Sequence, residues 1–122
     1  MKLEDLDVWK EARKLTNMIY KIVAAYPKIE DYNLSKHMRE CPRSVAANVA
    51  EGFGRFNFQE SMQFYRISRG SLFELRNDIY LSFDLGYIDE EKMKELIGQV
   101  DKVGMLLNGF INSTKKLKNN DK

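Results

Sequence analysis

The sequence predicts an all-α protein built as an antiparallel up-and-down four-helix bundle. Apolar residues recur at spacings of three and four along almost the whole chain, and strand-like alternation is nearly absent. Only two prolines and seven glycines interrupt the 122 residues, so we expect short loops. Long helices joined by short loops pack as antiparallel neighbours.

The first two helices are defined by their apolar periodicity and by the two prolines. The first helix is predicted from Leu6 to Tyr26. It ends before Pro27, because the residue preceding a proline is disfavoured in helical angles. The second helix begins near Leu34 and contains Pro42. A proline removes one backbone hydrogen bond, so this helix is expected to bend or split.

Terminal signals define the other two helices. Asn57 is a predicted N-cap for the third helix, which runs to about Leu85 before Gly86 provides a left-handed stop. Asp89 is the predicted N-cap of the fourth helix, whose apolar positions continue to Ile111. No repeat or second domain is apparent in the chain.

We expect a single domain over residues 1–114 and a basic, disordered tail over residues 115–122. A net charge of +2 neither requires nor excludes a nucleic-acid partner. Cys41 is the only cysteine, so no intrachain disulfide can form. The absence of a signal peptide and of a long apolar segment predicts a cytoplasmic protein without a membrane partner.

A stripe of polar residues follows the second helix beside its valine face. At about 100° per residue, Ser44, Asn48, Glu51 and Arg55 fall within one narrow sector. Half-buried polar groups need partners, and Glu51 and Arg55 can pair across one turn. Gly52 lies toward the core, where it predicts close approach of another backbone. We interpret this stripe as a seam between helices or subunits.

A catalytic interpretation of the stripe is weaker. His37 falls on the same face as Ser44 and Glu51. However, seven residues separate His37 from Ser44, about 10.5 Å along a straight helix, whereas a nucleophile and its base must lie about 3 Å apart. We therefore predict no catalytic residue and no enzyme activity, and keep a ligand or RNA contact as the alternative.

Two further pairs could bind metal ions. His37 and Cys41 are spaced one turn apart, but no second cysteine or histidine completes a tetrahedral zinc site. Glu74 and Asp78 are also one turn apart, but a di-iron bundle needs two histidine motifs and the chain has one histidine. We expect no metal, no cofactor and no small-molecule substrate.

The third helix carries more apolar surface than one core requires. Its expected core face comprises Phe64, Ile67, Leu72, Leu75, Ile79, Ser82 and Phe83. A second stripe comprises Met62, Phe73, Tyr80, Arg66, Arg69 and Arg76. Aromatic and arginine residues are enriched in protein interfaces, and they also stack on bases and contact phosphates. Self-association is the favoured interpretation, nucleic-acid binding the second, and arginine stems covering scattered aromatics the third.

Basic residues are concentrated in the middle of the chain. Between Lys36 and Arg76 there are seven basic and four acidic side chains, a local charge of +3. Six of the seven basic residues are candidate RNA contacts: Lys36, Arg39, Arg43, Arg66, Arg69 and Arg76. The alternative is that these charged residues simply form a helix face exposed to solvent.

Four segments occur in a characteristic order: DLDVWKEARKL, SVAANVAEGFGR, GSLFEL and LGYI. Together, over roughly residues 3–110, they resemble the four-helix-bundle proteins encoded in intervening sequences of 23S ribosomal RNA genes. The resemblance implies a left-handed bundle, a cyclic homo-oligomer such as a pentamer, and no known enzyme activity. It also implies kinship with accessory proteins of diversity-generating retroelements, whose basic oligomers bind nucleic acid and a reverse transcriptase.

The residues that match the family's motifs are Ser44, Asn48, Glu51, Gly52, Arg55, Gly70, Ser71 and Glu74. Together with Phe73 and Tyr80, we interpret them as determinants of helix packing or subunit assembly. The predicted function is that of a non-enzymatic homo-oligomer that binds structured RNA, or a complex of RNA with a nucleic-acid enzyme, through basic helix faces. The alternative is a protein–protein scaffold or accessory subunit with no nucleic-acid affinity of its own.

Overall fold

Four helices account for most of the chain in the computed structural model, which describes residues 1–120. They are α1 Asp7–Val23, α2 Leu34–Phe53, α3 Phe58–Asp84 and α4 Glu90–Asn120. Short 3₁₀ turns precede α1, at Leu3–Asp5, and follow it, at Lys28–Glu30. Each helix packs against the next one along the chain, and α4 packs back on α1. The all-α class and the four-helix bundle predicted from the sequence are therefore confirmed.

Side-chain contacts show the relative direction of the helices. Residue numbers rise on one helix as they fall on its neighbour, in the pairs His37–Asp78 and Ser44–Ser71 between α2 and α3, and Tyr65–Phe110 and Arg76–Asp101 between α3 and α4. Neighbouring helices of these pairs thus run antiparallel. No helix in residues 1–120 is long and apolar enough to cross a membrane.

The terminal signals act as predicted. The Asn57 side chain accepts a hydrogen bond from the backbone N–H of Glu60 at 3.0 Å, and Asp89 accepts one from Lys92 at 2.8 Å. Gly86 has a φ of 78°, in the left-handed region that glycine adopts without steric cost. These local interactions fix the start of α3, the turn after it and the start of α4.

Two helices are longer or more regular than the sequence predicted. α2 is not split at Pro42, which lies buried inside one continuous helix. Only one backbone hydrogen bond is lost there, and the packing of neighbouring buried residues supports the helix. α4 continues as a helix through residues 115–120, where a disordered tail was expected, because lysine and leucine are good helix formers. The last two residues of that tail, 121–122, lie outside the described residues.

The buried face of α3 differs from the expected one. Ile67 was assigned to the core but is 50% exposed, whereas Met62 was assigned to the second stripe and is buried. The face that packs against the other helices is centred on Ser68, Leu72 and Leu75, which are all buried. Small serine side chains allow α2 to approach closely, so the rotation of α3 follows its serines as well as its largest apolar residues.

Candidate functional site

A line of hydrogen bonds joins α2 to α3 along the predicted seam. The hydroxyls of Ser44 and Ser71 lie 2.8 Å apart, and Asn48 donates to the Ser44 carbonyl at 2.8 Å and to its hydroxyl at 3.0 Å. Ser68 is fully buried and donates to the Val45 carbonyl at 2.8 Å. The Ser44–Ser71 and Ser68–Val45 bonds join α2 to α3, whereas both bonds of Asn48 stay within α2. Ser68 was missed, although it lies one turn before Ser71.

Gly52 allows α2 to approach α3 closely near the loop that connects them. A Cβ atom built on Gly52 would lie 2.5 Å from Cε1 of Tyr65 and 3.0 Å from the Ser61 carbonyl oxygen. Such distances are shorter than van der Waals contact, so only glycine fits without rearrangement. By contrast, a Cβ atom on Gly70 would meet no atom within 4 Å. Gly70 therefore has no packing role within the subunit.

The remaining motif residues lie on the surface of the subunit. Arg55 and Glu51 form an exposed ion pair at 2.5 Å, and the Arg55 guanidinium lies 5.0 Å from the centre of the Phe64 ring. Tyr80 is 41% exposed on the outer side of α3. Exposed ion pairs contribute little to stability, so these side chains remain available for contacts with other molecules.

The polar seam ends in a cluster of ionisable side chains. His37 contacts Asp78 through its Nδ1 atom, and its Nε2 atom lies 3.3 Å from Oε2 of Glu74. The sulfur of Cys41 lies 3.6 Å from His37 Nε2 and 3.9 Å from Glu74 Oε2. Ser44 is not part of this cluster, as expected from its separation from His37. The spacing in the sequence indicates the pairs His37–Cys41 and Glu74–Asp78, but it does not show that the two pairs face each other.

Burial and the contact between His37 and Asp78 shift the pKa values of this cluster. The side chain of Asp78 is only 5% exposed, and this burial raises its pKa although the His37 ring opposes the change. The hydrogen bond with Asp78 raises the pKa of His37. Burial, reinforced by the nearby carboxylates, raises the pKa of Cys41 to about 12. Without a bound cation, Cys41 is therefore a neutral thiol and a poor nucleophile at physiological pH.

The six basic candidates separate into two rows rather than one surface. Lys36, Arg39 and Arg43 belong to α2, and Arg66, Arg69 and Arg76 belong to α3. Three of the six are engaged: Lys36 lies 3.9 Å from Glu40, Arg39 donates to the Asp31 carbonyl at 3.1 Å, and Arg76 lies 2.5 Å from Asp101. Arg43, Arg66 and Arg69 have no carboxylate within ion-pair distance in residues 1–120.

The α2 row reaches a shallow depression between α1 and α2. Arg43 lines it together with Arg13, Thr16, Asn17 and Ala46. The Arg13 guanidinium lies 4.8 Å from the centre of the Trp9 ring, and Arg13 forms no ion pair in the described part of the chain. Arg13 was not among the predicted contacts because it belongs to α1, whereas the six basic candidates belong to α2 and α3. The available signal was its spacing of four residues from both Trp9 and Asn17. We name this feature the Arg13–Arg43 depression.

The α3 row borders a groove between α3 and α4. The groove encloses about 400 Å³ and is lined by Arg69, Leu72, Phe73, Arg76, Val100, Asp101, Gly104, Met105, Leu107 and Asn108. Phe73 is 58% exposed and Met105 is 75% exposed. Met62 is buried and is not part of this surface, in contrast to the sequence prediction. We name this feature the α3–α4 groove.

Comparisons with known proteins match this architecture. A crystal structure of a protein of unknown function from the S23 ribosomal protein family, from Bacteroides thetaiotaomicron, superposes with a TM-score of 0.76. The two chains are 18% identical over 85% of this chain and 97% of the other, a likeness that shows the shared fold. No curated protein is significantly similar in sequence. The model of the 23S rRNA-intervening sequence protein family matches residues 4–109, so the chain belongs to that family.

Proposed function

We propose that the protein is a cytoplasmic, non-enzymatic homo-oligomer that binds structured RNA through the Arg13–Arg43 depression. One observation carries the proposal. Two exposed arginines, Arg13 on α1 and Arg43 on α2, line the same depression, and neither forms an ion pair with a carboxylate of residues 1–120. Guanidinium groups bind phosphate oxygens through paired hydrogen bonds, so two of them make a phosphate site.

Other features of the depression suit RNA. Thr16 and Asn17 border it and can donate hydrogen bonds to sugar or phosphate oxygens. The Arg13 guanidinium lies over the Trp9 ring. Because this contact already restricts the guanidinium, little further entropy is lost when it binds a phosphate. Arg39 lies one turn before Arg43 on the same helix and extends the basic row.

The α3–α4 groove is the surface that we assign to self-association. Exposed Phe73 and Met105 flank an apolar floor that contains Leu72 and Leu107. Isolated exposed apolar residues are common, but a concave group of them is typical of interfaces. Because the α2–α3 seam lies between the two surfaces, covering the groove in an oligomer would leave the Arg13–Arg43 depression free. A cyclic assembly, such as a pentamer, would then present several copies of it.

Removing the two arginines tests the RNA site. In the double variant Arg13→Ala plus Arg43→Ala, we expect affinity for a structured RNA hairpin to fall about 10-fold or more, since two phosphate contacts are lost. The slope of log affinity against log salt concentration should decrease by about 1.4 to 1.8. Fluorescence anisotropy over a series of salt concentrations measures both quantities.

A matched control separates a local contact from a general charge effect. Lys92→Ala plus Lys94→Ala removes the same charge from the start of α4, where each lysine is paired with a glutamate. This variant should keep the affinity and salt dependence of the wild-type protein. An equal loss in both variants, or no RNA binding by the wild-type protein at low salt, would contradict the proposed site.

The alternative function is a protein–protein scaffold without nucleic-acid affinity, which the α3–α4 groove favours. Phe73→Asp should place a charge in the groove and reduce the solution mass to that of the 14.3 kDa protomer, measured by light scattering. Phe56→Asp is the control, because Phe56 is fully exposed in the α2–α3 loop. An oligomer that is lost only in Phe73→Asp, combined with no RNA binding, would select the scaffold. A wild-type monomer would exclude self-association.

A further inference from the structure

A mixed set of nitrogen, sulfur and oxygen donors meets where α2 packs on α3. His37 Nε2, Cys41 Sγ and Glu74 Oε2 lie 3.3, 3.6 and 3.9 Å from one another. The pair on α2 is spaced by one helical turn, and Glu74 comes from the facing helix. The packing of two helices thus brings three different donor atoms to one point.

The spacing of these donors resembles the edges of a zinc coordination tetrahedron. With zinc–nitrogen and zinc–oxygen bonds of about 2.1 Å and a zinc–sulfur bond of about 2.3 Å, tetrahedral angles place nitrogen and oxygen about 3.4 Å apart and sulfur about 3.6 Å from either. The three separations agree with these values to within a few tenths of an ångström, but Cys41 Sγ also lies 3.8 Å from Nδ1. The thiol or the ring must therefore turn before the sulfur can reach an ion held by the Nε2 lone pair. We propose that His37, Cys41 and Glu74 bind one zinc ion.

Asp78 supplies the support that a histidine ligand requires. It contacts Nδ1, the ring nitrogen that is not one of the three proposed donors, and its side chain is buried. Histidine ligands of zinc typically donate their second N–H to a carboxylate, which fixes the tautomer and the ring orientation. Asp78 is therefore a positioning residue that leaves Nε2 with a lone pair for the metal.

The arrangement suits zinc in charge and access. Cys41 lies buried at the base, while the side chains of His37 and Glu74 are 45% and 63% exposed at the rim, so an ion can enter from solvent. Binding displaces the thiol proton to solvent, and the thiolate and the Glu74 carboxylate then balance the divalent charge. Thiolate, imidazole and carboxylate are all common zinc ligands, and three protein ligands leave a fourth position for water.

Cobalt(II) provides a spectroscopic test on the tag-free, chelator-treated full chain. One cobalt ion per chain should give visible bands typical of tetrahedral coordination and a sulfur-to-cobalt charge-transfer band in the near ultraviolet. Zinc should displace the cobalt and abolish both signals. Zinc should also slow the modification of Cys41 by a thiol reagent, since a coordinated thiolate is less available.

Variants assign the ligands. Glu74→Gln and Cys41→Ser should each weaken zinc binding at least about 10-fold, and Cys41→Ser should abolish the charge-transfer band. Asp78→Asn should weaken binding about 10- to 100-fold. Glu51→Gln, on α2 but outside the cluster, should have no effect. Glu74 is exposed, so its variant should keep the helical circular dichroism of the wild-type protein even if a buried variant unfolds.

Two outcomes would overturn the zinc site. One is a wild-type chain that shows no sulfur-to-cobalt charge transfer. The other is a folded Glu74→Gln variant that binds zinc as tightly as the wild-type protein and gains the same protection of Cys41. Neither measurement depends on RNA binding or on oligomerisation, so the zinc site and the proposed function can fail independently.

Discussion

Gly52→Ala is expected to lower the free energy of unfolding by about 1–3 kcal/mol, because the new methyl group would overlap the Tyr65 ring and press on the Ser61 carbonyl. The ring can move only if neighbouring core residues move with it, since Tyr65 is 2% exposed and packs edge-on against Phe110. The backbone of α3 at Ser61 cannot move away from residue 52 without disturbing the hydrogen bonds that join α2 to α3. Urea unfolding followed by circular dichroism measures the change.

Gly70→Ala is the matched control for this prediction. Both glycines are helical and both belong to the family's motifs, but a methyl group on Gly70 would meet nothing within 4 Å. That variant should be more stable by about 0.5–1 kcal/mol, because alanine is a better helix former than glycine. The difference between the two variants therefore isolates the packing cost at Gly52. If both variants were stabilised equally, close approach at Gly52 would not be needed for folding.

His37→Ala is expected to lower the free energy of unfolding of the chelator-treated protein by about 1–3 kcal/mol, because it leaves the Asp78 carboxylate buried without its partner. The upper end of the range for buried pairs does not apply, since the His37 side chain is 45% exposed and water can partly replace it. Unfolding in urea at a fixed pH provides the measurement.

A double-mutant cycle tests whether the loss arises from the pair. Asp78→Asn in the His37→Ala background should recover part of the lost stability, since a neutral amide is less costly to bury than a carboxylate. The coupling energy between the two positions should be about 1 kcal/mol or more. Additive effects of the two substitutions would show that His37 and Asp78 do not stabilise each other.

The sequence predicted the four helices and most of their ends because these depend on neighbours in the chain, although α1 ends at Val23 and not at Tyr26. Asn57 and Asp89 cap their helices through bonds to residues only three positions away, and Gly86 needs only its own backbone freedom. The close approach expected at Gly52 followed from its place on the core side of α2, although the residues it meets, Ser61 and Tyr65, belong to α3. Over residues 115–120, whose polar composition predicts a disordered tail, the structure continues α4 as a helix, and lysine and leucine are good helix formers.

The candidate site could be predicted only in part, because it depends on which helix faces meet. Ser44, Asn48 and Ser71 were recognised as seam residues, and the structure joins them by hydrogen bonds. The partnership of His37 with Asp78 was not recognised, because the two residues are 41 positions apart. Arg13 was not recognised as a neighbour of Arg43 for the same reason.

The sequence by itself determined the all-α class, the number of helices, their caps and the family, since periodicity, capping and motif order can be read along the chain. Only the tertiary structure decided the rotation of α3, which buries Met62 and exposes Ile67. It also decided that Glu74 lies beside His37 and Cys41. The physical reason is that small residues such as Ser68 and Gly52 set how closely two helices approach. That distance, together with the rotation it permits, determines which side chains from distant parts of the chain become neighbours.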